Sequence, residues 1–350
     1  MKKVRLSIMI IMASMAIFYS CQQDEIASEP SVENNGDGIA PNYEIKYSEQ
    51  QMLNWERTGS PFLEDEMDNS ATTLIDPSIP SYGGIFRPIT EADTRAWGVH
   101  PNQNRYWSMI RLKVTLTQEP LRSFVIQAIA EIEEQTNISF YNAINDPEKD
   151  PTYGIVYPNV YINLAPKNQI GSSFIGRKGG EQYLYLPASA DVAFIKRALV
   201  NVAGMYNEYQ RNDRDTYVNI YTANVHADNR FHFNKITSNY YGKGNFDWYS
   251  ITLAGSYVFS NNGSKTITMK SPNGADIQNN TELSNLDRAF LNYFYLPYVG
   301  RTDTYRELNR PVFDGNNRQL TEQEVIDLEN YLNNGAQNPG AQFRINPVPW

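Results

Sequence analysis

Hydrophobic and polar positions become regular from Trp107 onward. Ile110, Leu112, Val114 and Leu116 alternate with Arg111, Lys113 and Thr115, the period of a half-buried strand. Pro120 then opens a segment with apolar residues at Leu121, Phe124, Val125, Ala128, Ile129 and Ile132, the stripe of an amphipathic helix. Asn137–Tyr141, Val160–Leu164 and Gln182–Leu186 read as short strands. A helix from Asp191 carries Phe194, Ile195, Leu199 and Val202, an apolar face broad enough to belong in a core. Near the ends, Tyr43–Arg57 predicts a short helix with Ser48 as N-cap and Gln51 three residues on. Thr321-Glu322-Gln323-Glu324 is a capping box that opens a helix to about Asn333, with Val325, Leu328 and Leu332 on one face and Gly335 to stop it. Prolines and Gly83-Gly84 break the chain between Thr58 and Pro88. The order strand, helix, strands, core helix predicts an α+β domain with a mixed sheet.

Composition narrows the class. The 350 residues are 41% hydrophobic and 13% aromatic, enough for a real core. Net charge is −9, so no basic field exists to attract nucleic acid, which is excluded as a partner. Lys2, Lys3 and Arg5 precede the apolar run Leu6–Phe18, which is too short for a dependable span and leads to Tyr19-Ser20-Cys21. That pattern resembles a bacterial lipobox of the Bacteroidota type. It implies a lipoprotein signal peptide at 1–20, lipidation of Cys21, and a lipid-anchored protein at the outer membrane or cell surface. Cys21 is the chain's one cysteine, so no thiol remains for a disulfide. Residues 21–42 read as a flexible tether, 43–105 as an N-terminal extension and 298–350 as a C-terminal extension with one helix.

The candidate chemistry lies in Asp191–Asp215. Its Gly204, Glu208, Arg211, Asp213, Arg214 and Asp215, with Tyr217 just beyond, resemble the frame of the astacin zinc-protease motif, HExxHxxGxxHExxRxDRDxYV. Four further blocks resemble the same family in the same order: Ala130–Phe140, Gly171–Leu186, Phe246–Ser260 and Leu283–Phe294. The resemblance implies a two-lobed metzincin domain at 106–297, a twisted mixed sheet plus long helices flanking a cleft. It also aligns Arg197, Ala198, Asn201 and Asn207 with the first ligand, the general base and the other two ligands. Thr252 aligns with the methionine of the family's Met-turn, and Ala254 with its tyrosine.

A guanidinium has no lone pair for a metal, amide oxygens are poor zinc ligands and a methyl takes no proton. The expectation is therefore no metal and no cofactor, and a chain that is not an enzyme: an inactive astacin-like domain binding a protein, peptide or glycoprotein segment. Candidate cleft residues are Phe174, Arg197, Asn201, Asn207, Trp248 and Tyr249. The alternatives are a glycan-binding surface protein using cleft aromatics, a structural subunit of an outer-membrane complex, and an active zinc metalloendopeptidase. Partners are then an extracellular protein, peptide or glycan, and the membrane through the N-terminal lipid.

Other residues carry expectations of their own. Gly204 predicts a left-handed helix end, and the Glu208–Asp215 charges predict buried pairing that ties the halves of the domain together. Glu131, Glu133 and Glu134 read as a solvated acidic cluster, and Gly176–Gly180 as a hairpin turn at the cleft edge. Of the three histidines, His100, His226 and His232, none has a metal-ligand context. Pro61–Asp65 faintly resembles the family's prosegment motif. The apolar end Ile345–Trp350 is expected to dock back on the domain.

Overall fold

Alternation in the central segments produces a four-stranded sheet backed by helices. In this computed structural model the described residues are 49–58, 97–99, 105–165, 175–238, 240–242, 244–271, 273–346 and 348–350. All belong to one compact unit, Ile39–Trp350. The expected signal segment and tether, with Cys21, Ser48, Pro61–Asp65, His100 and Phe174, lie outside them.

Helix α1 (Glu49–Thr58) and strand β1 (Trp97–Val99) come first. Strand β2 (Ile110–Val114), helix α2 (Leu121–Gln135) and strands β3 (Phe140–Asn142), β4 (Asn159–Leu164) and β5 (Gln182–Leu186) follow. Next are helix α3 (Val192–Val202) and strands β6 (Val218–Ile220), β7 (Tyr240–Gly242) and β8 (Ile267–Met269). Helices α4 (Asn285–Phe294) and α5 (Glu322–Leu332) close the order.

The main sheet has the order β3-β2-β4-β5 and is parallel at every pairing, while β1-β7 and β6-β8 are antiparallel pairs. The α+β class holds, with the mixture of directions divided between the main sheet and these two ribbons.

Alternation decides the two faces of the sheet. Ile110, Leu112, Val160, Ile162, Leu184 and Leu186 join Val125, Ala128, Ile129 and Ile132 of α2 and Ile195, Leu199 and Val202 of α3 in one core. Burying each Val, Leu or Ile side chain among them is worth about 1.5–3 kcal/mol. On the other face Lys113, Tyr161 and Tyr183 sit in one row by register. The tyrosine rings stack at 5.2 Å, and the Lys113 ammonium lies 5.9 Å from the Tyr161 ring.

Trp97 and Val99 are part of this core, so the domain begins before residue 106. A second core gathers Tyr209, Val218, Phe233, Phe246, Leu253 and Phe259. The C-terminal extension forms a third, around Leu308, Val312, Leu328 and Leu332.

Three local readings change. The strand expected from Asn137 starts at Phe140, because Asn137 is occupied elsewhere. Its amide N–H donates to Asn292 Oδ1 (2.7 Å), and its side chain bonds the backbone N–H and C=O of Phe313 (2.8 and 2.7 Å). The acidic cluster is not uniformly solvated. Glu131 bonds the buried Lys196 ammonium (2.8 Å), and the Glu133 carboxylate accepts from the Phe140 N–H (2.7 Å). Burial pushes Glu133 up to about 7 against that bond. The short helix expected over Tyr43–Arg57 is described from Glu49 and runs to Thr58. Its Trp55 indole donates to the Lys235 carbonyl (2.9 Å), so the N-terminal extension docks on the domain.

The chain's end docks as well: Asn142 Nδ2 donates to the Pro349 carbonyl (2.7 Å), and Trp350 packs on the first core.

Candidate functional site

Helix α3 begins where Asp191 caps it, its carboxylate accepting from the Phe194 N–H at 2.7 Å. The helix stops at Gly204, whose φ of +103° is strained for any residue with a Cβ. A Cβ there would also lie 2.9 Å from Val99 Cγ2. Backbone bonds from Val99 N to Gly204 O (2.9 Å) and from Tyr206 N to Trp97 O (3.0 Å) pin β1 across this turn. The turn thereby sets Asn207, which precedes the 3-10 turn Glu208–Gln210.

Arg197, Ala198 and Asn201 all lie on α3, and the structure brings Arg197 to the segment holding Thr252. Arg197 is half-buried, and its Nη2 approaches the Thr252 carbonyl at 3.4 Å. Ala198, Asn201, Asn207, Thr252 and Ala254 are buried. Asn201 Nδ2 donates to the Met205 carbonyl (2.8 Å), and the Asn201 carbonyl takes the N–H groups of Gly176 and Gly204, each at 2.9 Å. Asn201 thus closes the helix end and holds the Gly176–Gly180 turn. Of the candidate cleft aromatics among the described residues, Trp248 is half-buried against Phe246 in the second core, whereas Tyr249 is 77% exposed.

Beneath Thr252 runs a buried polar network that sequence reasoning missed. Asp287 accepts from Ser250 Oγ (2.7 Å), from the Ile251 N–H (2.8 Å) and from the Ser284 N–H (3.0 Å). Ser250 Oγ also meets Thr252 Oγ1 at 2.8 Å, and Ser284 Oγ donates to Asp247 Oδ2 at 2.5 Å. The Asp247 N–H donates to Glu208 Oε1 (2.8 Å), which joins this network to the charged loop. Burial first, and the Asp247 charge second, push the Asp287 carboxyl up to about 6. One signal was readable: Ser284-Asn285-Leu286-Asp287 has capping-box spacing, and it does form a capping box on α4.

The charged loop pairs as its spacing predicts. Arg211 forks onto Asp213 at 2.9 Å twice and reaches Glu208 at 3.2 Å. It also donates to the Gly244 carbonyl (2.9 Å) and lies 5.8 Å from the Trp97 ring. One guanidinium therefore joins the first core to the segment entering the second. Burial raises the Glu208 carboxyl, and Arg211 and the Asp247 amide pull it back. His232 is buried and stacked on Phe259 at 4.6 Å, and burial alone holds its imidazole down at about 3.

Residues 99–296 match the model of the family described as Astacin (Peptidase family M12A). The chain belongs to the astacin family. Among its relatives, zinc metalloproteinase nas-4 of Caenorhabditis elegans is 26% identical over 197 residues, 55% of this chain and 59% of that protein. Embryonic protein UVS.2 of Xenopus laevis is 34% identical over 137 residues, 39% of this chain and 26% of that protein. Astacin-like metalloprotease toxin 5 of Loxosceles gaucho is 30% identical over 138 residues, 39% of this chain and 68% of that protein. The chain thus spans about three fifths of nas-4 and about a quarter of UVS.2. The hatching-enzyme zinc protease HCE-1 of Oryzias latipes superposes with a TM-score of 0.43 at 22% identity, covering 54% of this chain and 92% of that one.

Membership corrects the expectation of a non-enzyme. The matched family is one of peptidases, and nas-4 and the Loxosceles toxin carry metalloprotease names, which points to a protease. The donor set at the aligned positions nevertheless does not fit zinc. Arg197 brings a cation, Ala198 a methyl, and Asn201 and Asn207 only neutral amide oxygens, poor zinc ligands beside imidazole. Among the described residues no group of three His, Cys, Asp or Glu could hold a metal ion. No hydrolytic step is assigned to these four residues.

Proposed function

We propose that this astacin-family domain engages an extended polypeptide segment where α3 meets Ser250–Ala254. The supporting observation is the family match across 99–296, since a peptidase domain is built to take polypeptide as its ligand. Extended peptides bind through backbone hydrogen bonds and alternate side-chain pockets. Arg197 supplies a half-buried guanidinium that can donate to peptide carbonyls or to an acidic side chain. Tyr249 supplies an exposed aromatic with a polar tip. Lipidation of Cys21 would place the domain at the outer membrane or cell surface, facing extracellular polypeptides.

Fluorescence anisotropy of labelled β-casein, an unfolded polypeptide, against the full-length chain tests this reading. Saturable binding weakened by Arg197→Ala and by Tyr249→Ala is expected. Mass spectrometry of the same mixtures reads whether fragments form. The proposal fails if neither binding nor fragments are found. For the anchor, Cys21→Ser should release the chain from membranes, and undiminished retention would count against lipidation.

A further inference from the structure

Beyond residue 296 the chain builds its own small core, and a cavity of about 460 Å³ opens on it. That volume lies within the roughly 300–1,000 Å³ of small-ligand pockets. It is framed by the 303–306 segment, the end of α5 with the turn after it, and Phe343.

The lining is held in place by buried charge. Arg301, whose side chain is 2% exposed, forks onto Asp303 at 2.9 and 2.8 Å and reaches Glu307 at 2.5 Å. Arg344 also pairs with Glu307. The Arg301 guanidinium lies 5.1 Å from the centre of the Tyr305 ring, so a cation–π contact fixes that ring from one side. Arg306 is braced to α5: its N–H donates to Asn333 Oδ1 (2.7 Å), and Asn333 Nδ2 returns a bond to its carbonyl (2.8 Å). After the helix, Asn334 (φ +51°) and Gly335 (φ +77°) turn sharply, which carries Asn334 and Gln337 to the cavity wall.

The chemistry of that wall selects a class of ligand. Asp303 is engaged by Arg301 and Arg306 donates to the Leu332 carbonyl (3.2 Å), and the lining, with one acid and one base, carries no net formal charge to favour an ion. Tyr305 and Phe343 offer aromatic surface, while the amides of Asn334 and Gln337 each offer both donors and an acceptor. Aromatic surface beside paired donors and acceptors matches a sugar ring, which has an apolar face and a hydroxyl rim. We propose that this cavity binds a neutral mono- or disaccharide, with Tyr305 as stacking face and Asn334 and Gln337 contacting hydroxyls. The site lies outside the residues of the family match and is independent of polypeptide engagement at α3.

Saturation-transfer NMR on the full-length chain, with lactose, maltose and N,N′-diacetylchitobiose as probes, tests the proposal. Saturable transfer to at least one sugar is expected, weakened about tenfold by Tyr305→Ala through loss of stacking. Gln337 is exposed, so Gln337→Ala leaves the fold intact and should weaken binding severalfold even if Tyr305→Ala unfolds the extension. Arg197→Ala should change polypeptide binding and leave sugar binding untouched. The proposal is overturned by no transfer from any of the three at about 10 mM, above the range of millimolar ligands. It is equally overturned by an affinity that is unchanged in Gln337→Ala, or by transfer that disappears with Arg197→Ala.

Discussion

Gly98→Ala should be among the most damaging single-methyl additions in the domain. Gly98 sits in β1 where the strand crosses the turn after α3. A Cβ there would lie 2.2 Å from Phe290 Cζ and 2.6 Å from the Gly204 carbonyl oxygen. Phe290 belongs to the buried core and packs on Phe294 at 4.7 Å, so its ring cannot simply swing away. The Gly204 carbonyl cannot yield either, because it accepts the Val99 N–H at 2.9 Å. Relief must come from moving β1, at the expense of the Val99–Gly204 and Tyr206–Trp97 bonds. Overpacking costs about 1–3 kcal/mol and each lost bond about 1 kcal/mol. Replacing a strand glycine returns about 0.5–1 kcal/mol through a less free unfolded chain. The net expectation is a loss of roughly 2–4 kcal/mol. Urea denaturation of the full-length chain would measure it, and hydrogen exchange at Val99 and Tyr206 would show faster opening than at α5. Phe290→Leu in the variant background should recover only part of the loss, since the clash with the carbonyl remains. Unchanged or raised stability in Gly98→Ala, or full rescue by Phe290→Leu, would refute the argument.

Other consequences follow from burial and charge. Arg211→Met should cost about 3–5 kcal/mol by leaving Glu208 buried beside no cation, and adding Glu208→Gln should restore part of it in a double-mutant cycle, the Asp213 and Gly244 bonds remaining lost. His232, held near 3 when folded, takes its proton only in the unfolded chain. Its contribution is therefore complete above pH 6.5 and lost as pH falls toward 3, by up to roughly 5 kcal/mol, and His232→Phe should flatten that acid limb in urea titrations at pH 7 and pH 4. Asp287, raised to about 6, has the opposite sign: its contribution is complete below its unfolded value of 3.8 and lost as pH rises through 6. Asp287→Asn should therefore remove a decline of roughly 3 kcal/mol between pH 4 and pH 7. Metal analysis of the full-length chain should find far less than one zinc per molecule, and near-stoichiometric zinc would refute the reading of the donor set around Arg197.

What could be read from the sequence was what short-range physics decides. Helix α3 began at Asp191 and stopped at Gly204 because a cap and a left-handed turn are properties of neighbouring residues. Helix α5 kept its Thr321 box and its Val325, Leu328 and Leu332 face for the same reason. The Glu208–Asp215 pairing was legible because its partners lie within a few residues of each other. The missed features join distant segments. The Asn137 side chain is taken by Phe313, 176 residues away, and no periodicity announces that theft from the expected strand. Asp247, Ser250 and Asp287 converge only after two loops and a helix are in place, so their shared burial has no one-dimensional trace.

The error about enzyme class has a different source. Arg197, Ala198, Asn201 and Asn207 bear on one metal site and not on the whole domain. The frame across residues 99–296 extends far beyond them, and it is that of a peptidase family. A donor set that does not fit zinc limits which residues can be given a hydrolytic role, and it does not by itself remove the chain from that class. The two properties meet at Arg197, where a half-buried guanidinium faces the Thr252 carbonyl and any polypeptide bound there must contend with its charge.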